Sequence, residues 1–166
     1  MQELILRAFT EEEYHRFFRH YCPDPAMDPT PFKYSHEQIS RAYHYNFDGF
    51  RSDYAEYGIF LDHIPVGSFQ LKRIQADKKT CEFGIILQND AYKNKGIGTR
   101  AIQIGLELAH KQFGIINIIG ETTEHNHRMI HILEKTGFSL QECKKDPLAD
   151  NKTILVYRLR MTEETT

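Results

Sequence analysis

The residues best suited to chemistry lie in YKNKGIGTRAIQ, Tyr92 to Gln103, where Lys93 and Lys95 precede Gly96 and Gly98 at the start of a helical pattern. Ile97, Ala101, Ile104 and Leu108 then recur at helical spacing, and Gly114 stops the run. Three readings of the glycines are open. They can simply turn the chain into the helix, with solvated lysines beside them. They can belong to a dinucleotide fold, since Gly96, Gly98 and Ala101 fit G-x-G-x-x-A and Glu121 ends the next strand at about the distance of a ribose carboxylate. Against this, QNDAYKNK separates Leu87 from Gly96, and only about 45 residues follow Glu121. The third reading is a pyrophosphate cradle. Backbone N–H groups from Lys95 to Thr99 are the unpaired donors of a new helix, the dipole favours an anion there, and glycine lets phosphate oxygens approach. Lys93 and Lys95 add point charge. A G-x-x-x-x-G-K-[ST] loop is absent.

Other chemically capable side chains read more plainly. Cys22, Cys81 and Cys143 are odd in number and lack C-x-x-C spacing, so free thiols are expected rather than a disulfide framework or a zinc site. His127 and His131 lie one helical turn apart, near His125, but no cysteine or carboxylate joins them at a metal-ligand spacing; surface histidines and no metal are expected.

The elements that must position the loop follow from periodicity and caps. Leu4 to Ala8 reads as a strand, and Thr10 with Glu13 forms a capping box for a helix to about His20. Pro23, Pro25, Pro29 and Pro31 make CPDPAMDPTPF a stiff loop, and Ser35 with Gln38 opens a second helix through EQISRAYHYNF. YGIFL, VGSFQLKRI and CEFGIIL form a three-strand meander. After the glycine loop and its helix, IINII reads as a buried strand, Asn126 caps a short helix through Lys135 that Gly137 ends, and SLQECKK and TILVYRLRM are two closing strands.

At 166 residues and 40% hydrophobic, the chain suits one domain, 1–166. A net charge of -2 and a pI near 6.5 provide no general field for nucleic acid or an anionic membrane. QELILRAF is too short and charged for a signal peptide, and no apolar run approaches a membrane span, so a soluble, cytoplasmic protein is expected.

The stretch from Glu82 to Phe138, EFGIILQNDAYKNKGIGT followed by NHRMIHILEKTGF, resembles the two core motifs of the GNAT superfamily of N-acetyltransferases. More narrowly, it is similar to the branch containing the ribosomal-protein N-terminal alanine acetyltransferases. The [QR]-x-x-G-x-[GA] loop falls on Lys93-Asn94-Lys95-Gly96-Ile97-Gly98, and the N…EKxGF ending on Asn126 and Glu134 to Phe138. Lys93 stands where Gln or Arg is usual, which keeps the cation and loses the planar fork.

The resemblance implies an α/β fold of the α+β type: a mixed, mostly antiparallel sheet of six to seven strands, flanked by about four helices and splayed at strands 4 and 5. It implies acetyl-coenzyme A as cosubstrate, with no metal. The pyrophosphate would sit on Lys93, Lys95, Gly96, Ile97, Gly98, Thr99 and Arg100, and pantetheine would pair with the edge of Ile85, Ile86 and Leu87 as a pseudo-strand. Asn126 is read equally as a helix cap and as a cofactor contact. For direct transfer to an amine, Glu82 is the first choice of base and Glu121 the second, with backbone N–H groups near Leu87 for the oxyanion. Leu133 and Met129 replace the tyrosine and serine that serve as proton donors in the family, so a non-catalytic acyl-coenzyme A sensor or interaction module is the alternative.

Fourteen of the twenty Phe and Tyr residues lie between Phe9 and Phe60, over what would be the acceptor pocket; core packing explains them, and Asp24, Asp28 and Asp48 would suit a cationic amine. The expected partners are coenzyme A and an amine acceptor, without nucleic acid or membrane, in a monomer or homodimer.

Overall fold

The computed structural model describes residues 2–149 and 151–162. Chain order is β1 (Leu4–Arg7), α1 (Glu11–Arg19), α2 (His36–Phe47), β2 (Tyr54–Leu61), β3 (Ile64–Gln75), β4 (Thr80–Leu87), α3 (Ile97–Phe113), β5 (Asn117–Thr123), α4 (His127–Lys135), β6 (Ser139–Lys145) and β7 (Thr153–Arg160). Short 3-10 turns follow β3 and β4.

Local chemistry fixes the boundaries. The Thr10 hydroxyl accepts the Glu13 N–H at 3.2 Å while the Glu13 carboxylate accepts the Thr10 N–H at 2.9 Å, completing the capping box. The same carboxylate takes both Arg7 guanidinium nitrogens at 2.8 and 2.9 Å, which ties β1 to α1. Ser35 accepts the Gln38 N–H at the start of α2, and Asn126 accepts the Met129 N–H at the start of α4. Gly114 ends α3 in the left-handed region, φ 66°. Asp62 and His63, both with positive φ, form the two-residue turn between β2 and β3.

The seven strands are ordered β1-β2-β3-β4-β5-β7-β6. Every neighbouring pair is antiparallel except β4 and β5, which run parallel from Thr80↔Asn117 to Phe83↔Gly120. Beyond that pair, Gly84 to Leu87 stay hydrogen-bonded to β3, and Glu121 to Thr123 stay with β7, but the two strands no longer meet. The expected splay at strands 4 and 5 is this gap. Its apex is tight: a Cβ at Gly120 would meet Phe83 Cε1 at 2.6 Å.

Alternation puts Phe69, Leu71, Cys81, Phe83, Ile118 and Tyr157 on one face of the sheet, beneath Ala101, Ile102 and Leu106 of α3 and Leu133 of α4. Phe60 on the other face meets Phe9, Tyr14, Phe17 and Ile39 beneath α1 and α2. Each fully buried side chain of this size contributes about 1.5–3 kcal/mol. Phe9, Tyr14, Phe17 and Phe60 are therefore core, whereas Phe32, Tyr45 and Phe50 are exposed. The α1–α2 layer covers β1 to β3 and reaches Ile86, leaving Glu82, Gly84 and Ile119 half-buried and Glu121 exposed on the same face. Among the described residues no helix is long and apolar enough to cross a membrane.

Candidate functional site

A cleft of about 400 Å³ opens where β4 and β5 separate, between the starts of α3 and α4. One wall is the strand edge. The Gln88 N–H donates to Val66 of β3, so alternation turns the N–H and C=O of Ile85 and Leu87 toward β5, where no strand meets them. An amide-bearing chain laid there could take up both.

A second wall is the glycine loop. Gly96 is the N-cap of α3 at φ 75°, without a side-chain cap, and the first helical bond is Arg100 N–H to Gly96 C=O at 3.1 Å. The amides of Ile97, Gly98 and Thr99 precede that bond, and all three residues line the cleft. A Cβ at Gly96 would meet nothing within 4 Å, and the cleft lies beside Gly96 and these residues. Uncapped amides at the positive end of a 17-residue helix, beside this cleft, fit a pyrophosphate.

The cations are disposed differently from expectation. Lys93 lines the cleft, but its ammonium is held by Asp24 at 3.0 Å and Asp90 at 2.6 Å, with the side chain only 9% exposed. Burial works against its charge, the two carboxylates outweigh burial, and its pKa is raised. Burial likewise opposes the Asp24 charge, but the Ala26 N–H and Lys93 outweigh it and hold the carboxyl below its ordinary value. Lys95 is exposed and outside the cleft lining, and the Arg100 guanidinium turns away to the Gln2 carbonyl at 3.2 Å. Arg128 and Lys135 of α4 also line the cleft, Arg128 3.4 Å from Asp24. Their spacing with Ile132, one face of a helix at i, i+4 and i+7, is the sequence signal that could have marked them.

Asn126 lines the cleft and caps α4, its Oδ1 3.1 Å from the Met129 N–H. Asp24 and Asp28 also reach the cleft, whereas Asp48 lies at the end of α2 hydrogen-bonded to His44. The expectation for Asp48 is thereby corrected: as the C-cap of α2 it is spent on local structure.

The proline-rich loop spans the mouth of the splay. The Cys22 N–H donates to Gln88 at the end of β4 at 2.8 Å, and the Thr123 hydroxyl at the end of β5 donates to Ala26 C=O at 2.9 Å. Tyr21, one residue before this strap, lines the cleft. Burial, followed by the charges of Asp28, Cys22 and Asp24, raises its phenol pKa and keeps it protonated.

Both glutamates lie on the α1–α2 face at the apex. Glu82 sits one residue before the last parallel pair, bonded to Arg73, which a bulge in β3 and a positive φ of 48° re-aim across the strand. Glu121 sits one residue past that pair, 2.9 Å from Lys144. On the same face Glu56 is buried, accepting from Ser68 at 2.8 Å, Tyr54 at 2.9 Å and Asn46 at 3.2 Å. Burial pushes its carboxyl up against the Ser68 and Tyr54 hydrogen bonds. Ser68 also accepts from Gln70, which lies cross-strand from Gly84. Nothing in the sequence around Glu56 distinguishes it from a surface strand residue. Cys22 and Cys143 are exposed and free, and burial pushes the Cys81 thiol up to about 12.

A family model described as an acetyltransferase (GNAT) domain matches residues 3–139. The spermidine N(1)-acetyltransferase of Escherichia coli (strain K12) is 23% identical over 137 residues, which are 82% of this chain and 62% of that relative. Among solved structures, a ribosomal L7/L12 α-N-protein acetyltransferase in complex with coenzyme A superposes with a TM-score of 0.81 at 18% identity, covering 95% of this chain and 94% of that one. A spermidine N-acetyltransferase chimera from Vibrio cholerae and hSSAT gives a TM-score of 0.82 at 16% identity, with 95% of each chain covered. At such identities these likenesses concern the fold.

Proposed function

Because the chain belongs to the GNAT acetyltransferase family, we propose that it transfers the acetyl group of acetyl-coenzyme A directly to a primary amine, on a protein N-terminus or a small molecule. The observation that carries this reading is the meeting, in one cleft, of the unpaired edge of Ile85 and Leu87 with the uncapped start of α3.

The bound donor supplies a thioester; the protein supplies the rest. Amides of Ile97, Gly98 and Thr99 would hold the pyrophosphate, and the edge of β4 would hold the amide-bearing arm. The Ile85 or Leu87 N–H, turned into the gap, would stabilise the carbonyl oxygen as it gains charge. Glu82 or Glu121 would take the amine proton, each freed from its cation or acting through water. Tyr21 would return a proton to the departing thiolate, a role that Met129 and the buried Leu133 cannot fill.

The relatives act on different amines, a ribosomal N-terminus and spermidine by their names, and both classes belong in the assay. Of the acids expected to draw a cation, Asp24 is already paired with Lys93 and Arg128, which leaves Asp28, whose carboxylate accepts the Thr30 N–H at 2.9 Å and makes no ion pair among the described residues, as the acid of that loop open to a cation at the cleft. The side chains at positions 129 and 133 favour a second reading, an acyl-coenzyme A sensor that binds without turnover. Thiol release, measured across peptides with free N-termini, polyamines and small amines, separates the two. Release with at least one class supports the transferase. Thermal stabilisation by coenzyme A without release from any class supports the sensor, and absence of stabilisation removes both.

A further inference from the structure

We infer that Lys72 is an internal acetyl acceptor, a site of self-acetylation at the apex of the splay; the inference rests on the transferase reading above.

The apex is where a donor entering between β4 and β5 must stop. Parallel pairing resumes at Phe83↔Gly120 and the cleft lining reaches Ile85, so a pantetheine arm laid along Leu87 and Ile85 would have its reactive end beside Gly84. Lys72 reaches the same point from β3. It is the cross-strand partner of Glu82, and its side chain extends along the face left open by α1 and α2. A Cβ at Gly84 would lie 2.8 Å from Lys72 Cε and 3.0 Å from its Nζ, with Gln70 Oε1 at 2.7 Å. The glycine leaves room for the amine directly over the first residue of β4 beyond the last parallel pair.

Two further observations favour acceptance over a structural role. Among the described residues Lys72 makes no ion pair, since the neighbouring Glu82 is bonded to Arg73 and Glu121 to Lys144. The exposed Lys72 ammonium is therefore not part of the ion pairs that brace this face. It also lies beside Glu82, the group placed to receive a proton from an amine.

In the reaction, the neutral Nζ forms a C–N bond to the acetyl carbon and the C–S bond breaks. The proton lost by Nζ passes through Glu82 or water to the thiolate, giving acetyl-lysine and free thiol, with no oxidant or further reactant. Acetylation removes one fixed cation from the face that an amine substrate approaches.

The test incubates the full chain with acetyl-coenzyme A and no amine, and follows thiol release together with peptide mass spectrometry. An acetyl group on Lys72, formed at a rate independent of protein concentration and about tenfold or more faster than on exposed Lys78 and Lys95, is expected from intramolecular placement. Lys72→Arg should abolish that label and the amine-independent thiol release, while coenzyme A still raises the melting temperature. The inference is overturned if Lys72 stays unlabelled while an added amine is acetylated. Labelling that matches Lys78 and Lys95, persists in heat-denatured protein or scales with protein concentration overturns it as well. A protein that releases no thiol, alone or with any amine, brings down the transferase reading itself whether or not coenzyme A stabilises it, a result distinct from all of these.

Discussion

Replacing Gly96 by Asn and by Asp isolates the charge recognition assigned to the start of α3. Gly96 has φ 75° and is exposed, and a Cβ there meets nothing within 4 Å, so neither side chain clashes. Both residues tolerate the left-handed region better than most, and the shared backbone cost is about 1 kcal/mol, or about 2–4 °C in melting temperature for a domain of this size. The variants then differ by a single charge. A carboxylate roughly 5 Å from a pyrophosphate carrying about two charges, at an effective dielectric constant of about 60, is opposed by about 2.2 kcal/mol. That corresponds to a dissociation constant for coenzyme A roughly 40-fold weaker for Gly96→Asp than for Gly96→Asn. Titration calorimetry at low salt measures the gap. At about 1 M salt, where the screening length is about 3 Å, it should shrink to a few-fold. Equal affinities for the two variants at low salt would refute the cradle, because no anion would then lie against Gly96.

Three other perturbations probe the base, the core and the acid response. Glu82→Gln should lower turnover by about 10²–10⁴-fold with coenzyme A affinity unchanged, and Glu121→Gln by much less; single-turnover kinetics with a saturating donor would show the reverse order if Glu121 is the base. Gly105→Ala should destabilise by about 1–3 kcal/mol, since a Cβ at this buried α3 position would overlap the fully buried Phe69 ring; an unchanged denaturant midpoint would contradict that packing. The Arg7 guanidinium, ahead of the Thr10 amide, lowers the Glu13 carboxyl to about 2. A depressed folded-state pKa means that this contribution is present above the ordinary value near 4.5 and disappears as pH falls toward about 2. Glu13→Gln should therefore cost roughly 1–2 kcal/mol at neutral pH and flatten the loss of stability within that window, as read from melting curves.

The succession of strands along the chain, the four helices and the glycine loop were legible because each rests on local chemistry, whereas the sheet order that places β5 beside β4 and β7 rests on long-range pairing. Thr10 with Glu13, Asn126, Gly114 and Gly137 mark helix ends through short-range hydrogen bonds or positive φ, and the period-2 runs from Tyr57 to Leu87 mark the meander. The boundary of β5 was less legible: IINII spans Ile115 to Ile119, yet the strand begins at Asn117, because parallel pairing with Thr80 sets its start and hydrophobicity does not.

Side-chain partners were legible only where they are close in sequence. The sequence by itself determined that Gly96 opens a helix and that a strand ending at Leu87 precedes it across QNDAYKNK. Tertiary structure decided how each charge is used. Lys93 has the right type for phosphate, but Asp24 comes to it from 69 residues away and joins Asp90 to occupy its ammonium. Arg100 is drawn to Gln2, 98 residues distant. Glu56 becomes a buried carboxylate when α2 brings Asn46 over it. Lys72 becomes a chemical neighbour of the splay through the β3–β4 register and a glycine that leaves space for its amine. Backbone caps and periodicity are properties of a few consecutive residues, whereas an ion pair or an empty space above a glycine exists only after distant strands have found their register.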